Sequence, residues 1–192
     1  DGRADSLEDQ ARQVLLNPDE MRSGPEHVMA VLEGEPGYRA LWEEAFGADP
    51  ISIERAADAI ACFERTVVGG SSRFDSFMRG NPAALTDEAL LGLDLFRREA
   101  RCINCHNGPA FSDGGFHDLG LSNYGRPFED IGRGRITNDP ADTGKFRTPT
   151  LRDVTATQPL MHNGLFELSV ALTLYNAGMP TPQRKRSEEH TS

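Results

Sequence analysis

The chain has 192 residues, with 20 Lys plus Arg against 30 Asp plus Glu, for a formal net charge of −10. A balance this acidic excludes nucleic acid as the expected partner, because phosphate backbones select basic patches; it suits a basic small electron-transfer partner instead. No apolar run approaches the roughly 20 residues that span a bilayer, so no membrane span is expected.

Taken in order, residues 1–16 read as a short helix with Leu7, Ala11, Val14 and Leu15 at helical spacing. Asn17-Pro18 breaks it, because a proline pushes the preceding residue out of the α region. A second short helix is expected over Pro25 to Leu32 and a third over Tyr38 to Phe46, closed by Gly47 and Asp49-Pro50. Ser52 to Val68 reads as a helix capped by Ser52. Its apolar face is Ile53, Ala56, Ala57, Ile60, Ala61 and Phe63, with Glu54, Arg55, Asp58 and Glu64 outside. Cys62 lies in the same pattern and reads as a buried small hydrophobe. Gly69-Gly70-Ser71-Ser72 ends this segment, Arg73 to Met78 is one more helical piece, and Asn81-Pro82 marks a domain boundary.

Thr86 opens the second half as an N-cap, with Asp87 and Glu88 where the helix dipole favours acidic residues. Leu90, Leu93 and Phe96 form the stripe of a helix running to about Glu99. From Asn107 to Phe146 periodicity disappears and eight glycines enter. A loop of that length inside a compact domain signals function or disorder, and the interleaved Phe111, Phe116, Leu119, Leu121, Tyr124, Phe128 and Ile131 argue against disorder. Phe166 to Asn176 is a last short apolar helix before Gly178. No strand and no fixed-period repeat is expected: the fold class is all-α and loop-rich.

Cys102-Ile103-Asn104-Cys105-His106 carries the chemistry. C-x-x-C-H is the attachment pattern of a c-type haem. Two thiols one turn apart add across the porphyrin vinyls, and His106 on the same turn supplies the proximal nitrogen. A thioredoxin-like C-x-x-C would sit in a βαβ context and needs no following His. Structural zinc would want a second knuckle, which the sequence lacks. Hydrophobic residues make only 38% of the chain, so a haem would supply apolar core that the side chains do not, and the segment 107–146 is expected to wrap it.

The run Thr148-Pro149-Thr150-Leu151-Arg152-Asp153-Val154, then Thr157-Gln158-Pro159-Leu160-Met161-His162-Asn163-Gly164, then Tyr175-Asn176, together with Cys102 to Gly108, resembles the C-terminal haem domain of the bacterial di-haem cytochrome c peroxidase/MauG family. Asp1-Gly2-Arg3-Ala4-Asp5-Ser6-Leu7-Glu8 resembles the second half of that family's N-terminal haem domain. The resemblance implies a cytochrome c-like fold in three parts. Residues 1–80 would be the remnant of the N-terminal peroxidatic domain and 81–185 the C-terminal haem domain. The run 186–192 (RSEEHTS) reads as translated sequencing adapter. Asp1 reads as a cut, and Trp42 lies too far along to be the family's inter-haem tryptophan.

The same resemblance implies the roles. Cys102, Cys105 and His106 would anchor the electron-transfer haem, one in this piece and two in the full protein. The late helix would supply the distal ligand, Met in peroxidases and Tyr in MauG-like members. That position is Tyr175 here, with Met161 and Met179 as rivals because the Gly164-to-Tyr175 spacing is one residue short. Gln10 and Glu20 would line the peroxidatic pocket as catalytic residues, with Val14 where the family has proline. Thr157 and Pro159 would offer backbone carbonyls to calcium, and Arg147 and Arg152 would pair with haem propionates. The implied activity is reduction of hydrogen peroxide with electrons from a small cytochrome or cupredoxin, in the periplasm, by a protein that forms a homodimer when whole. The alternatives are MauG-like oxidation of a protein partner and a mono-haem electron-transfer module.

Overall fold

The structure is a computed structural model and describes residues 1–123 and 125–179. Tyr124 and the run 186–192 lie outside the described residues. The chain forms two compact units, Ala4–Val68 and Asp1–Arg3 with Gly69–Ser192.

The first unit holds four helices: α1 (Leu7–Leu16), α2 (Pro25–Gly34), α3 (Pro36–Phe46) and α4 (Ile53–Glu64). Each start has a local cause. The Ser6 side chain accepts from the Asp9 N–H and Ser52 from the Arg55 N–H, while α2 and α3 begin on proline, whose missing N–H is an orphan there anyway. α1 packs on α4 through small side chains, Ala11 against a stripe that buries Ile53, Ala56, Ala57 and Ala61. The Arg65–Glu8 pair at 2.7 Å links the end of α4 to the start of α1. Trp42 is buried, its indole N–H donating to the Asp49 carbonyl at 3.1 Å and its ring lying 4.6 Å from Phe46.

Two expectations for α4 are corrected. The helix ends at Glu64 rather than Val68, where the Phe63 carbonyl takes both the N–H and the hydroxyl of Thr66. The buried stripe is also narrower than the apolar pattern: Cys62 is exposed and Phe63 is 67% exposed. Positions 53, 57 and 61 share one line of the helix, and 62 and 63 are rotated away from it.

The second unit begins with α5 (Arg73–Met78), closed by a capping box between Ser72 and Asp75. α6 (Asp87–Arg97) follows, capped by the Thr86 hydroxyl, and α8 (Leu168–Ala177) ends it. Between them lie a four-residue α7 (Gly134–Thr137) and two strands, β1 (Phe116–Asp118) and β2 (Lys145–Arg147). The strands correct the expectation of a strandless fold. They pair antiparallel, with Phe116 opposite Arg147, His117 opposite Phe146 and Asp118 opposite Lys145. Strands of three residues show no readable period.

The segment between β1 and β2 is closed on itself more than once. Asp130 N–H donates to the Ser122 carbonyl at 2.8 Å, Gly144 to Ile131 at 3.0 Å and Arg133 to Lys145 at 2.9 Å. Gly132 (φ +54°) passes so close to the Lys145 carbonyl and the Phe146 ring that a Cβ would collide with both.

The start of the last helix also differs from expectation. α8 starts at Leu168, because Phe166 gives its carbonyl to the Leu160 N–H at 2.6 Å and Gln158 Oε1 accepts from the Leu168 N–H at 2.5 Å. The two units divide after Val68. α5 belongs to the later unit because Asp75 pairs with Arg152 at 2.9 Å and Phe74 packs 5.0 Å from Phe111. Among the described residues, no helix is long and apolar enough to cross a membrane.

Candidate functional site

α6 delivers the chain to the cysteine pair, and the Ala100 N–H donates back to the Leu95 carbonyl at 2.9 Å. Arg101 then turns left-handed (φ +54°), and Cys102–Asn104 forms a single 3₁₀ turn. Two bonds to the Cys102 carbonyl close it, from Cys105 N–H at 3.3 Å and His106 N–H at 2.8 Å. Cys102, Cys105 and His106 therefore belong to one turn, each partly buried, and all the cysteines are free thiols.

His106 Nδ1 lies 2.9 Å from the Phe111 carbonyl oxygen. A carbonyl only accepts, so Nδ1 carries the hydrogen and Nε2 is left with its lone pair. A metal-ligating histidine is normally fixed in this way, the second ring nitrogen bonded to a carbonyl. The loop that supplies the carbonyl is tight. Ser112 N–H donates to Asn107 at 2.8 Å, Asp113 N–H to Cys105 at 2.8 Å, and Phe111 itself takes a left-handed conformation, φ +51°. For a bulky non-glycine residue that backbone is strained and must be held by its surroundings. The Phe111 ring packs 5.0 Å from Phe74 and 6.3 Å, edge-on, from Phe96.

Asp113 sits beside this turn, its carboxylate 2.7 Å from His117 Nε2. The His117 side chain and the Gly115 N–H hold its carboxyl down to about 2, against an ordinary 3.8. A carboxyl depressed by folding stabilises the native state above its unfolded value and loses that contribution as pH falls through the folded value. Asp113 therefore stabilises the fold above about 3.8, and the contribution fades between about 3.8 and about 2. The carbon-13 NMR titration midpoint of Asp113 is expected near 2 and should rise toward 3.8 in His117→Ala. A midpoint that stays put would remove the pairing as its cause. Burial, and secondarily Asp113, pushes the Cys105 thiol up.

Tyr175 on α8 is half-exposed, and its phenol is pushed up by burial and then by the Cys102 and Cys105 thiols. The late helix thus brings this side chain within electrostatic reach of Cys102 and Cys105. Met161 and Met179 are partly buried, Met161 in left-handed backbone at φ +68°. His162 stacks on Phe146, ring centroids 3.6 Å apart.

The two arginines part company. Arg147 is exposed on β2 with no ion pair among the described residues. Arg152 is committed inward: Nη1 and Nη2 bond the Asp75 carboxylate at 3.0 and 2.9 Å, and Nε donates to the Pro109 carbonyl at 2.6 Å. Thr157 and Pro159 are exposed on the loop before α8, Thr157 N–H donating to Asp153 at 3.2 Å. Gln10 and Glu20 lie in the first unit, both exposed; Glu20 Oε1 accepts from Asn17 Nδ2 at 2.9 Å. Sequence reasoning missed the Phe111 carbonyl and Asp75, one a backbone atom and the other a distant carboxylate.

The donor set fits a c-type haem: two free cysteine side chains and a histidine with Nε2 available, on one turn. It does not fit zinc on the same motif. Among the described residues the one grouping of three or more metal-ligating side chains is Cys105, Asp113 and His117, which omits both Cys102 and His106.

Comparison with known proteins agrees. The family model described as di-haem cytochrome c peroxidase matches residues 1–83. The methylamine utilization protein MauG of Methylorubrum extorquens is 40% identical over 183 residues, 93% of this chain and 50% of the relative. The cytochrome c551 peroxidase of Nitrosomonas europaea is 38% identical over 168 residues, 85% of this chain and 49% of the relative. A MauG-like protein associated with microbial copper homeostasis superposes with a TM-score of 0.82 at 30% identity, over 97% of this chain and 59% of that one. The diheme peroxidase BthA from Burkholderia thailandensis gives 0.67 at 26% identity, covering 91% and 50%. The chain spans about half the length of the curated relatives it matches. With C-x-x-C-H on a turn that frees His106 Nε2, and with this likeness running along nearly its whole length, the chain belongs to the di-haem cytochrome c peroxidase/MauG family.

Proposed function

We propose that this chain is the electron-entry half of a di-haem cytochrome c peroxidase-type oxidoreductase acting on hydrogen peroxide. The observation that carries the reading is the His106 Nδ1–H bond to the Phe111 carbonyl, which fixes the imidazole with Nε2 free on the turn that bears both thiols. A bound haem c would supply a one-electron couple and an apolar disc. The residues do the rest. Cys102 and Cys105 would tether the group and His106 would hold its iron. Arg147, unpaired among the described residues, is free to meet a propionate with its guanidinium fork. Tyr175 would offer the iron an oxygen from α8, with Met161 and Met179 as the sulfur alternatives. At the second haem of the full protein, Gln10 would position peroxide and Glu20 would move a proton from one peroxide oxygen to the other. Thr157 and Pro159 would give carbonyls to a calcium ion.

The acidic surface, with its net charge of −10, suits a basic small cytochrome or cupredoxin as donor. Haem attachment requires reduced thiols and export, so the periplasm is the proposed compartment. Residues 1–80 are proposed as the remnant of the peroxidatic domain and 81–185 as the haem domain, with a homodimer as the assembly of the full protein. Tyr175 on α8, in the family position where MauG-like members carry Tyr, supports as second reading the MauG-like oxidation of a protein partner.

The test compares the full-length protein with this chain. The full protein, carrying a second C-x-x-C-H upstream, is expected to reduce peroxide rapidly at the expense of a reduced small cytochrome. The haem-loaded 192-residue chain is expected to show no appreciable turnover. Rapid turnover by the isolated chain would contradict the two-haem reading.

A further inference from the structure

We propose that Arg152 and Asp75 form a clamp that positions the proximal histidine and so tunes the haem that His106 would hold. The inference rests on the haem reading above. Three successive carbonyls of the loop after the motif each accept one side-chain donor. Pro109 takes Arg152 Nε at 2.6 Å, Ala110 takes Thr150 Oγ1 at 2.5 Å, and Phe111 takes His106 Nδ1 at 2.9 Å. Two of the three donors come from the 150–152 segment and the third is the ligand itself. The peptide carbonyl that orients His106 is therefore the last of a row pinned from the other side.

Arg152 is the centre of the row. Its guanidinium is locked by both oxygens of Asp75, at 3.0 and 2.9 Å, and lies over the Phe111 ring, 5.7 Å from the centroid. Asp75 is itself fixed by the N–H and hydroxyl of Ser72, at 2.8 and 2.7 Å, at the head of α5. A bidentate fork of this kind sets orientation as well as charge. Its purpose is legible in Phe111, whose left-handed backbone (φ +51°) persists only while its neighbours hold it. Phe74, Phe96 and Arg152 surround that ring. Without the clamp, Phe111 relaxes toward the right-handed region and its carbonyl swings off His106. A histidine that loses this bond is a weaker donor to ferric iron. Arg152 and Asp75 touch neither iron nor ligand, and act as positioning residues through Phe111.

The experiment uses the full chain loaded with haem c, and compares it with Arg152→Met, Arg152→Lys and Asp75→Asn. Covalent haem content is read first. Failure of the unsubstituted chain to retain haem overturns the haem reading rather than the clamp. With haem attached, Arg152→Met and Asp75→Asn are expected to raise the midpoint potential by roughly the equivalent of a tenfold change in the ferric-to-ferrous ratio, 59 mV for one electron. They should also lower the iron–histidine stretching frequency in resonance Raman spectra. Arg152→Lys, which keeps the charge without the fork, should fall between. Should Arg152→Met fail to fold, Asp75→Asn decides, since it leaves the Arg152–Pro109 bond in place. Haem-loaded variants that lose stability while potential and stretching frequency stay at the parent values overturn the proposal, for the pair would then be a structural brace only.

Discussion

Expressed with c-type maturation machinery, the chain is expected to carry one haem that survives acid–acetone extraction, and the double variant Cys102→Ala/Cys105→Ala to carry none. Each single variant should keep one thioether and reduced occupancy, while Cys62→Ala should change nothing. The reason is local. The His106 N–H bond to the Cys102 carbonyl, 2.8 Å, holds both sulfurs and the imidazole on one turn. Addition of Sγ–H across a vinyl breaks the S–H and the C=C π bond, forms one C–S and one C–H bond and is redox-neutral, so the thiols must arrive reduced. Burial, and then Asp113, pushes the Cys105 thiol up. Cys62 is exposed on α4, in the other unit. Haem released entirely to the solvent would overturn the assignment of the motif.

The second large effect belongs to Tyr175. Tyr175→Phe is expected to raise the potential of the haem-loaded chain by on the order of 0.1 V, within the ~0.8 V over which axial ligands move haem couples. A phenolate oxygen is hard and anionic and stabilises ferric iron, whereas a thioether favours the ferrous state. The motive is the place of Tyr175 on α8, with a phenol raised by burial first and then by the charges of Cys102 and Cys105 when ionised. Met161→Leu should leave spectrum and potential close to the parent. The reverse pattern, an unchanged Tyr175→Phe and a high-spin Met161→Leu, would make Met161 the ligand and favour peroxidase over MauG-like chemistry.

What the sequence revealed was mostly what is decided within one turn. Ser52 and Thr86 cap the helices that follow them, and the C-x-x-C-H run puts Cys102, Cys105 and His106 on one turn. What it concealed was decided at a distance. β1 and β2 are each three residues long and exist only because residues 116–118 meet 145–147. α5 joins the later unit through residues far apart in sequence, Asp75 and Arg152 meeting across 77 positions. Arg152 is the instructive residue: its chemistry, a forked cation, was legible, but its partner was not, and a carboxylate on α5 holds it where a propionate was expected. The Phe111 carbonyl could not have been found at all from residue types, since every residue carries one.

The clasp between β1 and β2 bears on how this domain tolerates change. Inside it the Asp130–Ser122 bond closes a smaller loop, and the tip around residues 125–128 hangs beyond both closures, with Phe128 93% exposed. The entropy of closing a loop grows only with the logarithm of its length, about 0.6 kcal/mol for each doubling. Added residues at the tip therefore tax neither the clasp nor the turn at Cys102, because the geometry of both is fixed inside the point of insertion. The tip is thus the place where this scaffold can be lengthened, labelled or fused while the Cys102–His106 turn keeps its shape.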